Sequence, residues 1–436
     1  IRDIRTDLES VEARIRETSS RYASLMQPQP LSATAIMAQV LDPESVLLEY
    51  SLGDKQSYVW AVTSDAIVSR SLPGRRELEQ TATAYLTSVT ARQPKKGESP
   101  ESYYARIAAA DRLIDAQALE LSRLLLDPVA SVIGTRRVLI AADGVLQQVP
   151  FAALPSPGSR GKNEPLLAEH EVAYVPSASA ISVLRGELSK RPPALKLLGV
   201  LADPVFQRND ERVKSAADDA AHPPGPDPLL GRATGELDRD DDSFIRRLPF
   251  TREEAEGIIG LVPRDQVSVA LDFDASLKTV MSGTFSRHRY VDLATHGFLD
   301  DRHAELSGLV LSLVDERGRP VDGFLRLQDI YNLSFSADMV SLSACQTGLG
   351  KDTAGEGLVG LSRGFMYSGA ASVLTSLWAV DDRATANLMK SVYAKLLQDH
   401  IRPAAALRAA QLELWKQKRT ASPFYWAAFV LQGEWR

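Results

Sequence analysis

Met339-Val340-Ser341-Leu342-Ser343-Ala344-Cys345-Gln346-Thr347-Gly348 decides the reading of this chain. A short apolar, β-favouring run leads straight into small residues, the single cysteine and a glycine-bearing turn. That is the pattern of a buried strand ending where a side chain can be presented. Its counterpart lies 49 residues upstream (345 − 296), where Tyr290-Val291-Asp292-Leu293-Ala294-Thr295 closes on His296-Gly297. Two such runs, each ending in a reactive side chain, are what a parallel sheet supplies, because these sheets carry their chemistry at the carboxyl ends of strands.

The flanks extend the same pattern. Leu197 to Ala202, Val267 to Ala270 and Ala371 to Leu377 read as further buried strands, with helices over Glu253–Leu261 and about Gly357–Tyr367. Leu388, Met389, Val392, Tyr393, Leu396 and Leu397 mark an amphipathic helix, capped by Asp381 or Asp382, and Pro403 opens another. Strands alternating with helices predict a mostly parallel α/β sheet covered on both faces. Nearer the N-terminus, Val46–Tyr50, Tyr58–Val62 and Ala66–Val68 predict an antiparallel meander, followed by two helical stretches and a buried strand, Val138–Ala142. Between Gln207 and Arg247 the chain turns acidic and proline-rich, the composition of a mobile surface insertion. Ile4, Leu8, Val11, Ile15, Tyr22 and Leu25 form a narrow helical seam, read either as a surface helix or as the end of an upstream helical array.

Composition limits the function classes. With 436 residues the chain suggests two or three folding units, and 44% apolar content provides large cores. A net charge of −6 disfavours a phosphate-tracking nucleic-acid surface. No apolar run is long enough to span a bilayer. One cysteine excludes an internal disulfide and fits a reducing compartment, so the cytoplasm is the expected location. Residue 1 is Ile rather than an initiator Met, and no secretion signal follows, so the chain reads as part of a longer protein.

A thiol with a pKa of about 8.5 needs a base to become a nucleophile at neutral pH, and an imidazole can take that proton and later return it to a leaving amine. The oxyanion formed on an attacked carbonyl needs donors, which the backbone amides of Gly297 and Cys345 would supply. The competing reading of a lone cysteine is a buried structural one. Three nearby glycine motifs are weaker. Gly355-Glu356-Gly357-Leu358-Val359-Gly360 matches a dinucleotide fingerprint but does not directly follow the strand. Gly360-Leu361-Ser362-Arg363-Gly364 puts Ser362 inside a helical pattern rather than on a nucleophile elbow. Gly348-Leu349-Gly350-Lys351 lacks phosphate-loop spacing. The remaining histidines have no neighbours at metal-ligand spacing, so no metal or cofactor is expected.

From about Leu139 to Gly433 the chain resembles the CHAT domain family, bacterial caspase-like (clan CD) cysteine peptidases often joined to tetratricopeptide repeats. The ordered matches include Asp143-Gly144, Val149-Pro150-Phe151, Ala294-Thr295-His296-Gly297, Ser307-Gly308-Leu309-Val310-Leu311, Leu342 to Gly348, Ser376-Leu377-Trp378-Ala379-Val380-Asp381-Asp382 and Trp426-Ala427-Ala428-Phe429. The resemblance implies a caspase-like sheet over residues 194–436, with the 207–247 insertion within it. Before it would come a smaller αβ subdomain over 28–193 and an N-terminal helix over 1–27. It implies a Cys345–His296 dyad with Gly297 and Cys345 as oxyanion donors. It also implies a protein or peptide substrate and control by a partner or by upstream repeats. In the related separases an acidic residue shortly after a Leu-Trp pair receives a basic side chain before the scissile bond, which points to Asp382, with Asp381 second. A catalytically silent caspase-fold scaffold is the alternative.

Overall fold

The computed structural model describes residues 28–95, 97–158, 164–214, 245–298, 307–343 and 356–436, the side chains of 356–359 excepted. The expected helix over 1–27 and residues 215–244 of the expected insertion lie outside the described residues.

The meander forms from β1 (Ser45–Ser51), β2 (Ser57–Val62) and β3 (Ile67–Leu72). Along β2, Ser57, Val59 and Ala61 are buried while Tyr58 between them is exposed, the period-2 alternation of a sheet with one wet face. Helices α1 (Arg75–Val89) and α2 (Pro100–Leu125) pack on each other. Ser99 caps α2 by accepting from the Ser102 amide at 3.2 Å, and Pro100 takes the first turn, where no amide hydrogen is needed. Strands β4 (Arg137–Ala141) and β5 (Val172–Tyr174) follow in parallel with β1, then α3 (Ala178–Leu188).

The second half contributes β6 (Lys196–Pro204), α4 (Pro249–Ile259), β7 (Val267–Asp272), β8 (His288–Ala294) and three short strands, β9 (His296–Phe298), β10 (Gly308–Val310) and β11 (Phe324–Arg326). After them come β12 (Met339–Leu342), α5 (Glu356–Tyr367), β13 (Ser372–Ser376), α6 (Asp382–Leu397), α7 (Pro403–Trp415) and β14 (Phe429–Gly433). Helix α6 packs between α4 and α7.

Eleven strands make one sheet in the order β3-β2-β1-β4-β5-β14-β13-β12-β8-β6-β7, mostly parallel, and β9 to β11 make a separate antiparallel sheet. The boundary expected near residue 193 falls between α3 and β6, and the sheet continues across it because β14 pairs with β13 on one side and β5 on the other. Gly433 ends β14 at φ +107°, where a Cβ would stand 2.7 Å from the Ala371 carbonyl, so only glycine fits that seam. Strand β12 is buried throughout, as is β8 apart from Arg289, so Asp292 of β8 and Ser341 of β12 are enclosed within the sheet's covered faces.

Candidate active site

His296 stands where the chain leaves the large sheet. Strand β8 ends at Ala294; the buried Thr295 hydroxyl then donates to the Val310 carbonyl and turns the chain into β9, where His296 pairs with Val310 and Gly297 with Leu309. The His296 ring is 5% exposed and lies against Phe206 at 5.2 Å. Its Nε2 is 2.6 Å from the Arg246 carbonyl. A carbonyl only accepts, so Nε2 carries the proton and Nδ1 carries the lone pair. Nδ1 is buried with no hydrogen-bond partner among the described residues. Burial pulls the imidazole pKa below its ordinary value, with the Arg246 bond opposing. The ring is therefore neutral at neutral pH, with one open basic nitrogen.

The Arg246 carbonyl is held by its neighbour. Arg247 clamps Asp203 through Nε to Oδ1 and Nη2 to Oδ2, both at 2.9 Å. Asp203, at φ +50° near the end of β6 with a fully buried side chain, also receives Arg252 Nε at 3.0 Å and Arg212 Nη1 at 3.1 Å. Arg212 and Arg252 bridge onward to Asp272 at the end of β7. A buried carboxylate is tolerable only with such partners. The described ends of the expected insertion, 207–214 and 245–247, are thus pinned to the strand ends by ion pairs, which the acidic, proline-rich composition between them did not suggest.

Cys345 and its amide lie outside the described residues. Strands β12 and β8 run parallel with Leu342 opposite Leu293, and Cys345 follows Leu342 by three residues (345 − 342), as His296 follows Leu293 (296 − 293). Asp381 is the N-cap of α6, its Oδ1 accepting from the Ala384 amide at 2.9 Å. Asp382, in the first turn, accepts from the Phe250 amide near the start of α4 at 3.1 Å, while Arg383 lies over the Phe250 ring at 4.7 Å. Burial, with repulsion from Asp381, Asp203 and Glu253, raises the Asp382 pKa despite the Phe250 bond. Asp382 Oδ1 takes no hydrogen bond among the described residues.

Two further carboxyls lie beneath the site. Asp292 on β8 and Glu254 on α4 are almost wholly buried. Asp292 Oδ1 accepts from Ser341 on β12 at 2.5 Å, and Ser341 Oγ meets Tyr393 OH of α6 at 2.6 Å. Among the described residues no donor group reaches Asp292 Oδ2 or Glu254 Oε1, and the two carboxyls are hydrogen-bonded to each other, one of them carrying the proton. Burial lifts Asp292 to about 7 against the Ser341 bond, and burial followed by the Asp292 charge pushes Glu254 well above its ordinary range. No spacing rule marks this pair: Glu254 sits in a run of charges, and only its helix face separates it from the exposed Glu253. Ser362 of the decoy elbow is buried inside α5. Among the described residues no group of three or more His, Cys, Asp or Glu is placed to hold a metal, and no helix is long and apolar enough to cross a membrane.

The architecture is a caspase-like α/β fold, a large mostly parallel sheet with helices packed on it. Separase in the Saccharomyces cerevisiae separase–securin complex aligns over 92% of this chain and 30% of its own, with a TM-score of 0.57 at 9% identity, a likeness of fold alone. Residues 115–434 match the CHAT domain, and the chain belongs to the CHAT domain family. Tetratricopeptide repeat protein 28 is 35% identical over 109 residues in Mus musculus and 33% over 109 residues in Homo sapiens. In both cases the match covers 25% of this chain and 4% of the relative's length.

Proposed function

We propose that this chain is a cysteine endopeptidase in which Cys345 attacks a peptide carbonyl and His296 acts first as general base and then as general acid. The observation that carries the reading is the state of His296. Its proton is fixed on Nε2 by the Arg246 carbonyl, and Nδ1 is buried with its lone pair unused among the described residues. In the first half-reaction Nδ1 takes the thiol proton and sulfur bonds to the carbonyl carbon. The amides of Gly297 and Cys345 hold the oxyanion, and Arg246 steadies the imidazolium through Nε2–H. Nδ1–H then protonates the leaving amine as the C–N bond breaks, leaving a thioester. A water deprotonated by Nδ1 adds to the thioester, and loss of the thiolate releases the acid.

Asp382 is the proposed receptor for an Arg or Lys side chain before the scissile bond, through the carboxylate oxygen that α4 does not use. Asp381 is the weaker candidate because its carboxylate caps α6. The buried His296 ring needs the site to open for substrate, which supports control by a partner or by upstream tetratricopeptide repeats; the relatives' name agrees with the latter. The expected setting is a reducing one, the cytoplasm.

Peptide-library cleavage by the parent and by Cys345→Ala, side by side, tests the activity. The parent cuts and the variant does not. Equal cleavage by both would sink the dyad. Absence both of cleavage and of Cys345 labelling by a peptide electrophile, with the activator present, would leave the scaffold reading instead.

A further inference from the structure

The pole of the sheet opposite His296 carries a cavity of about 280 Å³. Strands β8, β12 and β13 begin there and the antiparallel β14 ends there, so Arg289, Asp338, Ala371 and Glu434 meet at its rim. At ~3.3 Å per strand residue it lies roughly 20 Å from the His296 end. Arg191, Arg402, Arg436 and His400 complete its polar lining, while Tyr290, Leu396 and Ile401 provide apolar wall.

The charges around this cavity do not balance. Asp338 receives both Arg191 and Arg289, the latter through Nε at 2.8 Å. Glu434 is taken by Arg185. Among the described residues Arg402 approaches only Glu171, at 3.8 Å, and Glu171 is already held by Arg137 at 3.2 Å. Arg436 shares Asp42 with Arg137, at 3.3 and 3.6 Å. Four guanidiniums (Arg191, Arg289, Arg402, Arg436) and two carboxylates (Asp338, Glu434) line the cavity, an excess of two positive side-chain charges (4 − 2) in a chain of net charge −6, and the neighbouring Arg137, Arg185, Asp42 and Glu171 add two of each sign. The excess falls on the most available cations. The side chains of Arg289 and Arg402 are 52% and 47% exposed; Arg289 uses only Nε on Asp338, and Arg402 donates no hydrogen bond among the described residues.

Guanidiniums gathered around a concavity repel one another until an anion joins them, and their planar forks match phosphate oxygens in pairs. The volume is near the lower end for small-molecule sites, and the apolar wall suits an organic part. We propose that this cavity binds a small phosphorylated molecule whose phosphate dianion is held by Arg289 and Arg402. The site is separate from the His296 pole and does not depend on peptidase activity.

Calorimetric titration of the chain with inorganic pyrophosphate at fixed ionic strength tests it, beside a phosphoserine peptide carrying the same chemistry on a polypeptide. The expected result is saturable pyrophosphate binding, tighter than that of the peptide. The double variant Arg289→Ala/Arg402→Ala weakens it about tenfold or more, the loss of one charge-assisted pair or better. Arg70→Ala on the distant strand β3 leaves it unchanged. No saturable binding at millimolar pyrophosphate, equal weakening by Arg70→Ala, or tighter binding of the phosphopeptide would each overturn the proposal. Thermal unfolding checks that the double variant is folded, and Arg289→Lys, which keeps the charge but loses the fork, is expected to fall between parent and double variant.

Discussion

A histidine can take a thiol proton only through a nitrogen that is not already protonated, and a single backbone carbonyl settles that choice at His296. Because Phe206 and the surrounding burial keep water from the ring, its pKa sits below the ordinary value of about 6.5. Turnover is accordingly expected to show an acid limb with a midpoint below 6.5, and Phe206→Ala, which admits water, is expected to move that midpoint upward in a pH–rate profile. Asp382→Asn is the matching test of specificity. The amide oxygen can still accept from Phe250 while the charge is gone, so kcat/KM for Arg-containing peptides is expected to fall roughly 10–100-fold, the range of one charge-assisted hydrogen bond, with the thermal midpoint little changed. That His296 stands at a strand end and that Asp381 or Asp382 opens a helix was legible from the apolar runs they border, whereas the receptor role proposed for Asp382 comes from the family resemblance alone. Arg246 was not legible, because it acts through a main-chain oxygen that any residue would provide.

At the scale of elements, the strand-rich runs around His296 and the start of β12 were readable from apolar density, as was α6 from its period. Strand β5, at three residues, is too short to show a period. Strands β9 to β11 hide for the same reason, although Gly297 and Leu309 both belong to stretches that stood out as motifs. The connection from 245 to α4 was unreadable in a different way: its order comes from Asp203 and Asp272, more than 40 positions away in the chain for Arg247 (247 − 203). Arg247→Ala is expected to release the Arg246 carbonyl and to lower kcat by about 10–100-fold, while KM changes less, because the imidazole loses its orienting acceptor and not its substrate contacts. Asp203→Asn should behave in the same direction. Steady-state kinetics on the library-derived peptide measures both, and an unchanged kcat would remove Arg247 from the positioning of His296.

Across the whole molecule, the buried Asp292 and Glu254 link β8, β12, α4 and α6, so their protonation is felt in global unfolding. Both folded-state pKa values are raised, Asp292 to about 7, above the ordinary unfolded value near 4. Between these values the folded chain binds more protons than the unfolded one, so stability falls as pH rises through about 4 to 7 and further as Glu254 ionises. His296 and His288, both with lowered pKa values, act with the opposite sign up to about pH 7.5, where the unfolded imidazoles finish deprotonating, so the carboxyl contribution is read as the difference between the parent and Asp292→Asn. Between about pH 6.5 and 8 the melting temperature of Asp292→Asn is expected to fall less than the parent's, by roughly 1 °C. Identical slopes would show that the pair is not titrating.

The position of β14 carries a consequence for how the chain comes off the ribosome. Among the described residues it is the last strand in sequence, yet it is the sixth of eleven across the sheet, joining β5 to β13. Some 255 residues (429 − 174) separate the end of β5 from the start of β14. At about 5–20 residues per second, translation leaves β5 with an unpaired edge for roughly 13–50 s. During that interval the His296 strand can be complete while the sheet around it is still in two pieces, and newly made chains depend on whatever shields that edge until residue 433 has emerged.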